Sequence, residues 1–220
     1  RLIFNKFIAR FLLKFILKLD KYLYFLIGQF SSLYYNGKHP KHEIIKYTEW
    51  FLSNIKKNWV IVDIGSNRGE MTVKLSEKVK MTYGIEISEN LYKVSKLKEN
   101  SKLEFINFDA TKFDYSRIGK IDCITLSNVL EHIEDRIGFL TSLKNNVRFK
   151  NDPLFLIRVP MIDRHWVVIL KKNLGVDYRL DETHFIEYTK ESFFEEIKKC
   201  NLKVKNFEVK WGEIYAVVST

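Results

Sequence analysis

The stretch Val60-Ile-Val-Asp63-Ile-Gly65-Ser66-Asn67-Arg-Gly69-Glu70 decides how this chain is read. An apolar run beginning at Trp59 turns through small residues into a segment where Met71, Val73 and Leu75 stand among polar side chains. This pattern predicts a buried strand, a tight turn and then a helix, the first half of a βαβ unit of the dinucleotide-binding type. Small residues matter because the backbone itself must approach a ligand, and a Cβ would block it. Asn67 is the most acceptable non-glycine residue where φ is positive.

Three later segments extend the pattern. Thr82-Tyr-Gly-Ile-Glu86-Ile87 predicts a second strand ending in an acid, 17 residues after Gly69. A carboxylate at that strand end suits a bidentate hold on ribose hydroxyls. Leu103-Glu-Phe-Ile-Asn-Phe-Asp109-Ala110 predicts a third strand, also ending in an acid. Ile121-Asp-Cys-Ile-Thr-Leu-Ser127-Asn128-Val-Leu-Glu131-His132 predicts a fourth strand running into a loop or helix start. Residues 154–160 predict a fifth, parallel strand, since their near-continuous apolar character is expected where both sheet faces are covered.

Taken together, these residues resemble the class I S-adenosylmethionine-dependent methyltransferases, over residues 58–160 most clearly. The resemblance is to the types that modify small molecules or glycans. It implies an α/β fold, with a doubly wound, seven-stranded, mostly parallel sheet whose last strand is antiparallel. It also implies that Asp63, Gly65, Ser66, Asn67 and Gly69 cradle the methionine part of S-adenosylmethionine. Glu86, with Ile87 beside it, would hold the ribose, and Asp109 with the Ala110 amide the adenine. Ser127 and Asn128 would line the reaction side. The family loop usually has glycine where this chain has Asn67. A nicotinamide oxidoreductase fits less well, because no glycine follows at the third spacing such loops use. An acid at Asp63 also suits a cofactor without a pyrophosphate.

The rest of the chain is read around this unit. Residues 1–35 predict a basic amphipathic helical extension, and residues 36–220 the methyltransferase domain. Residues 28–39 read as a loop, and residues 41–56 as a helix with Ile44, Tyr47, Phe51 and Ile55 on one face. Residues 161–188, irregular and rich in Trp, His, Arg and Asp, predict a substrate lid. A helix over residues 191–200 would turn Phe193, Phe194, Ile197 and Cys200 inward. Residues 202–208 and 214–219 read as an antiparallel strand pair joined through Lys210-Trp-Gly212-Glu213.

The chain has 220 residues, of which 46% are hydrophobic, enough for one domain core with a terminal extension. Cys123 and Cys200 fit no metal or redox spacing and read as packed thiols, consistent with a reducing, cytoplasmic setting. The net charge is +10, and the first 30 residues carry Arg1, Lys6, Arg10, Lys14, Lys18 and Lys21 against Asp20 alone. Cations interrupt every apolar stretch there, which argues against a membrane span and a secretory signal. A basic helix on an anionic membrane surface, peripheral on the inner face, fits the pattern. Packing on the domain or on a second subunit, as in a homodimer, fits it as well.

Candidate chemistry centres on histidine, which titrates near neutral pH. His132 follows the fourth strand, at the edge where open α/β sheets bind ligands. His184 lies in the lid, three residues from Asp181, whose carboxylate would orient it. These two histidines and Asp181 are the candidate catalytic residues. Lys38-His39-Pro40-Lys41-His42 predicts a helix start that binds a phosphate or carboxylate, of the substrate or of the cofactor. That segment resembles ones in polysaccharide-modifying methyltransferases. Arg158, Arg164, His165 and Arg179 complete the candidate substrate contacts. A metal site from His39, His42, His184 and Asp181 is set aside, because Pro40 splits the His pair at a helix start.

Three functions compete on this reading. The first is O-methylation of a small-molecule, saccharide or lipid-linked acceptor with a histidine base. The second is RNA methylation, favoured by a pI of about 9.4. The absence of proline after Ser127-Asn128 disfavours base amino-group methylation, and nucleic acid is the weaker partner. The third is a membrane-bound scaffold with a vestigial cofactor fold.

Overall fold

The computed structural model describes residues 5–37 and 39–220. Helix α1 (Lys6–Tyr34) is followed by α2 (Lys41–Ile45) and α3 (Tyr47–Ser53). The alternating region then runs β1 (Val60–Ile64), α4 (Glu70–Lys78), β2 (Met81–Glu86), α5 (Glu89–Lys96), β3 (Leu103–Asn107) and β4 (Ile121–Ser127). A single 3-10 turn at Leu130–His132 leads to α6 (Arg136–Asn146) and β5 (Phe149–Pro160). The chain closes with α7 (Trp166–Asn173), α8 (Lys190–Lys199), β6 (Lys203–Lys210) and β7 (Glu213–Ser219).

The seven strands form one sheet in the order β3-β2-β1-β4-β5-β7-β6. β1 to β5 are mutually parallel, and β7 runs antiparallel between β5 and β6. The seven-stranded expectation holds, including its antiparallel last strand. Alternation along each strand divides the core. Val62, Ile64, Ile124 and Leu126 pack on one face with Leu140 and Leu143 of α6 and Phe193 and Ile197 of α8. Ile61 and Cys123 face the other way, onto Phe51 of α3 and Leu75 of α4. Helices on both faces explain why the central strands are apolar throughout. Both cysteines are free and buried.

Several boundaries differ from expectation. The loop expected over residues 28–39 is helical as far as Tyr34. Gly28 sits inside the helix, a tolerated loss of about 1 kcal/mol, and the helix stops at Asn36 and Gly37, both at positive φ. The single helix expected over residues 41–56 is broken at Lys46, which has φ 51°. The break turns Trp50 and Phe51 onto the sheet and leaves Ile44 60% exposed, so the expected apolar face is two faces. β5 starts at Phe149, because Phe149 pairs with Ile121 ahead of an irregularity at Cys123. The lid contains a helix, α7. Phe194 is 42% exposed and lies on Phe207, with ring centroids 4.8 Å apart, while Phe193 is fully buried.

One turn of α1 docks on the lid. Leu17 is buried there, Lys21 pairs with Asp177 at 2.6 Å and Glu182 at 3.1 Å, and Lys171 pairs with Asp20 at 2.7 Å. Much of the remaining helix surface exposes large apolar side chains, including Phe7, Phe11, Phe15, Tyr24, Phe25 and Phe30. Among the described residues no helix is long and apolar enough to cross a membrane.

Candidate active site

The strand order reverses between β1 and β4. The crossover helix after β1 packs on one face and that after β4 on the other, so a crevice opens at their carboxyl ends. A cavity of about 690 Å³ occupies it, lined among others by Gly65, Asn67, Glu86, Asp109, Asn128 and His132. A second cavity of about 310 Å³ shares Gly65, Asn67 and Asn128 with the first and adds Lys41, His42, Ser66, Ser127 and Arg158.

The loop between β1 and α4 is fixed from below and from the side. Gly65 and Ser66 donate backbone N–H bonds to the carbonyl of Ile85, at 2.8 and 3.1 Å. Glu86 accepts from the Asn67 amide at 2.8 Å through Oε2 and from the Ser88 amide at 2.9 Å through Oε1. Each oxygen keeps a lone pair for a diol on the cavity side. Gly65, Asn67 and Gly69 all have positive φ, as the turn requires. A Cβ on Gly65 would stand 2.6 Å from Val129, and one on Gly69 2.6 Å from the Phe105 ring. These glycines therefore admit neighbouring protein as well as shaping the turn. Ser66 Oγ and Asn128 Oδ1 are buried without a hydrogen-bond partner among the described residues. Orphaned polar atoms at a cavity wall are expected where a polar ligand supplies the partners. The cleft thus offers a carboxylate and two unpartnered polar oxygens to a polar ligand such as a nucleoside.

Asp63 was expected to cradle the cofactor directly. It borders the smaller cavity, but its carboxylate points inward, accepting from Thr72 and Thr125, both at 2.6 Å. It ties β1, α4 and β4 together beneath the loop, and burial raises its pKa to about 6. Asp63 is therefore a positioning residue. Its two threonine partners went unrecognised in the sequence, where nothing marks acid–hydroxyl pairs 9 and 62 residues apart. Asp109 borders the larger cavity just beyond β3, with Ala110 and Ile87. The Thr111 hydroxyl and amide, and then Lys112, hold its carboxyl below the usual range.

The small cavity gathers several of the expected anion-binding groups. Arg158 is buried, forms a two-point ion pair with Glu213 at 2.7 and 2.8 Å, and donates to Ser127 Oγ at 3.0 Å. Its guanidinium also lies 4.1 Å over the Tyr47 ring. Lys41 reaches the same Glu213 at 3.3 Å. His39 accepts the Lys41 amide at 3.1 Å, ordering the turn. His42 is solvent-accessible, but its ring packs edge-on against His39 and Tyr47, and desolvation lowers its pKa. Lys41, Arg68 and Arg158 line this cavity together with Asp63 and Glu70, so cations and acids alternate along its wall. Lys38 lies outside the described residues.

The remaining candidates lie elsewhere. Arg164 bonds Glu187, the Met161 carbonyl and the Tyr178 carbonyl, holding the lid to the end of β5. Arg179 bonds Asp177 and the carbonyls of Glu182 and His184. His165 caps α7, accepting from the Val167 amide. None of the three lines either cavity. Each of these side chains finds its partners within its own loop or the adjoining strand end, and so braces the lid.

The histidine expectation is also rearranged. Asp181 does not orient His184. It accepts from the amide and hydroxyl of Thr183, at 2.8 and 2.7 Å, and Thr183 Oγ1 lies 2.8 Å from His132 Nδ1. The one hydroxyl hydrogen goes to Asp181, so Thr183 accepts from His132 Nδ1–H. His132 is then the tautomer with a free lone pair on Nε2. His132 borders the larger cavity, and burial followed by the neighbouring His184 lowers its pKa. The buried His184 ring meets His132 edge-on at 4.6 Å, and its Nδ1 lies 3.4 Å from Glu187 Oε1. Glu131, unnoticed as a functional residue, is fully buried beneath this pair, and burial raises its pKa to about 8.

With this geometry in view, a family model described as a methyltransferase domain matches residues 36–206. No curated protein matches the chain in sequence. Solved structures match in fold. A SAM-dependent methyltransferase from Archaeoglobus fulgidus is 17% identical over 90% of this chain and 99% of that one, with a TM-score of 0.63. One from Aquifex aeolicus is 15% identical over 83% and 93%, with a TM-score of 0.61. Magnesium protoporphyrin IX methyltransferase from Synechocystis PCC 6803, solved with bound SAH, is 14% identical over 79% and 80%, with a TM-score of 0.59.

Proposed function

Because the chain belongs to the methyltransferase-domain family, we propose that it methylates a hydroxyl oxygen of a small-molecule, saccharide or lipid-linked acceptor. The methyl donor is S-adenosylmethionine, whose sulfonium supplies an electrophilic methyl group. The loop from Gly65 to Gly69 and Glu86 would hold the methionine and ribose parts, and Asp109 with Ala110 the adenine. Lys41, His42 and Arg158 would supply positive charge for a carboxylate of the donor or an anionic group of the acceptor.

The observation that carries the hydroxyl reading is the line from Asp181 through Thr183 to His132 at the cavity wall. Methyl transfer to oxygen is an in-line displacement, and most of the rate comes from positioning. A hydroxyl must also lose its proton, and a suitably placed base adds about 10²–10⁴-fold. His132 has its Nδ1–H engaged and its Nε2 lone pair free, the state such activation needs. The exposed apolar side chains of α1 and its lysines support docking on an anionic lipid surface, which would bring a lipid-linked acceptor to the cleft.

The test incubates the purified protein with methyl-labelled S-adenosylmethionine and cell extract separated into lipid, saccharide, small-molecule, protein and RNA fractions. Label in a lipid, saccharide or small-molecule hydroxyl is the expected result. Label in RNA would replace this reading with the nucleic-acid one.

A further inference from the structure

Glu131, His132 and His184 each offer a ligand atom, and these atoms all lie within 4.8 Å of one another. Donors around one divalent cation, each roughly 2.0–2.2 Å from it, stand about 3–4 Å apart. A small side-chain adjustment closes that gap. Glu131 is 0% exposed, yet neither carboxylate oxygen has a hydrogen-bond partner among the described residues. A buried carboxyl group left without partners is costly, and a cation beside it removes the cost.

His132 is held from behind, as metal-binding histidines are. A histidine that binds a metal commonly gives its other ring nitrogen to a hydroxyl, carbonyl or carboxylate, which fixes the ring and its tautomer. His132 does this through Thr183 and Asp181. His184 Nδ1 lies 3.4 Å from Glu187 Oε1 without a hydrogen bond among the described residues, while Glu187 is itself held by Arg164 and the Leu180 amide. The backbone also closes the arrangement: the Phe185 amide donates to the Glu131 carbonyl at 2.8 Å, which ties the lid to the turn after β4.

We propose that Glu131, His132 and His184 bind one divalent transition cation, with open positions toward the larger cavity that take oxygen atoms of the acceptor. Two imidazoles and one carboxylate favour borderline ions such as Fe²⁺, Co²⁺ or Zn²⁺ over Mg²⁺ or Ca²⁺. The existence of the site is independent of the acceptor, but its use rests on the hydroxyl-methylating reading above, which it deepens. With the cation bound, the Nε2 lone pair of His132 is taken up as a ligand, so the cation, in place of a free histidine base, acidifies the acceptor hydroxyl. The hydroxyl proton leaves to solvent through the cavity mouth. Its oxygen forms the new O–CH₃ bond with a lone pair, the C–S bond breaks, and its electrons stay on sulfur as a neutral thioether. The cation keeps its oxidation state.

The test titrates chelator-stripped full-length protein with Co²⁺, read by calorimetry and by the visible absorption of bound cobalt. S-adenosylmethionine binding is measured on the same samples. One cobalt per chain is expected, with affinity falling at least tenfold in His132→Ala and in Glu131→Gln, and a shifted cobalt spectrum in Thr183→Val. His132 is exposed, so its variant reports binding even where a change at Glu131 harms folding. No cobalt bound by the folded wild type, or equal affinity in wild type and His132→Ala, would overturn the site. Cobalt binding that depends on His132 while label enters RNA would keep the site and sink the acceptor reading.

Discussion

The two walls of the cleft are built in different ways. The wall expected to hold the donor comes from short chain segments: the turn after β1, Glu86 at the end of β2 and Asp109 beyond β3. The wall expected to meet the acceptor joins residues far apart in the chain, with His132 held by Thr183 and Arg158 held by Glu213. The first follows from strand–turn–helix spacing. The second follows from which loops the sheet brings together, and its partners become visible only in three dimensions.

That contrast can be broken from the acceptor side first. His132→Ala is expected to lower turnover by about a hundredfold or more, measured with labelled donor, while the fold survives because the side chain is exposed. Turnover within threefold of wild type would remove His132 from the chemistry.

Next comes the anchor beneath the donor wall. Asp63 has a folded pKa raised from 3.8 to about 6. Its neutral form is therefore favoured in the folded state. This contribution is complete below the unfolded value and is lost as pH rises through about 6. Asparagine cannot ionise, so Asp63→Asn should gain stability relative to wild type between pH 4 and pH 7, by on the order of 3 kcal/mol. Denaturant unfolding at several pH values measures it, and a pH-independent difference would contradict the buried, ionisable role.

A smaller effect is expected in the lid. Glu187 accepts from Arg164 and the Leu180 amide, and Glu187→Gln should cost about 2 kcal/mol, roughly 4–8 °C in melting temperature. An unchanged melting curve would show that the lid is held by its apolar contacts alone. The smallest effect concerns α1: binding to anionic vesicles should weaken several-fold when ionic strength rises from 0.1 to 0.5 M. Flotation that ignores salt would leave only apolar contact for that helix.

What the sequence disclosed follows the same division. Periodicity located every strand and the turn at Gly65, because burial on both faces writes long apolar runs. It misjudged residues 41–56, since the left-handed break at Lys46 follows no glycine or proline. It did not disclose that Arg164 and Arg179 bond within the lid, because a basic residue in a lid looks alike whether it meets substrate or its own loop. Asp181 sits three residues from His184 in sequence, yet the lid turn delivers it through Thr183 to His132 instead. Glu131 escaped notice because an acid beside a histidine carries no sign of being buried without a partner.

The most direct measurement is calorimetry of S-adenosylmethionine binding to wild type, Glu86→Ala and His132→Ala in parallel. The two-walled account predicts a dissociation constant at least tenfold weaker in Glu86→Ala and unchanged within twofold in His132→Ala. Equal losses in both variants, or none in Glu86→Ala, would contradict it.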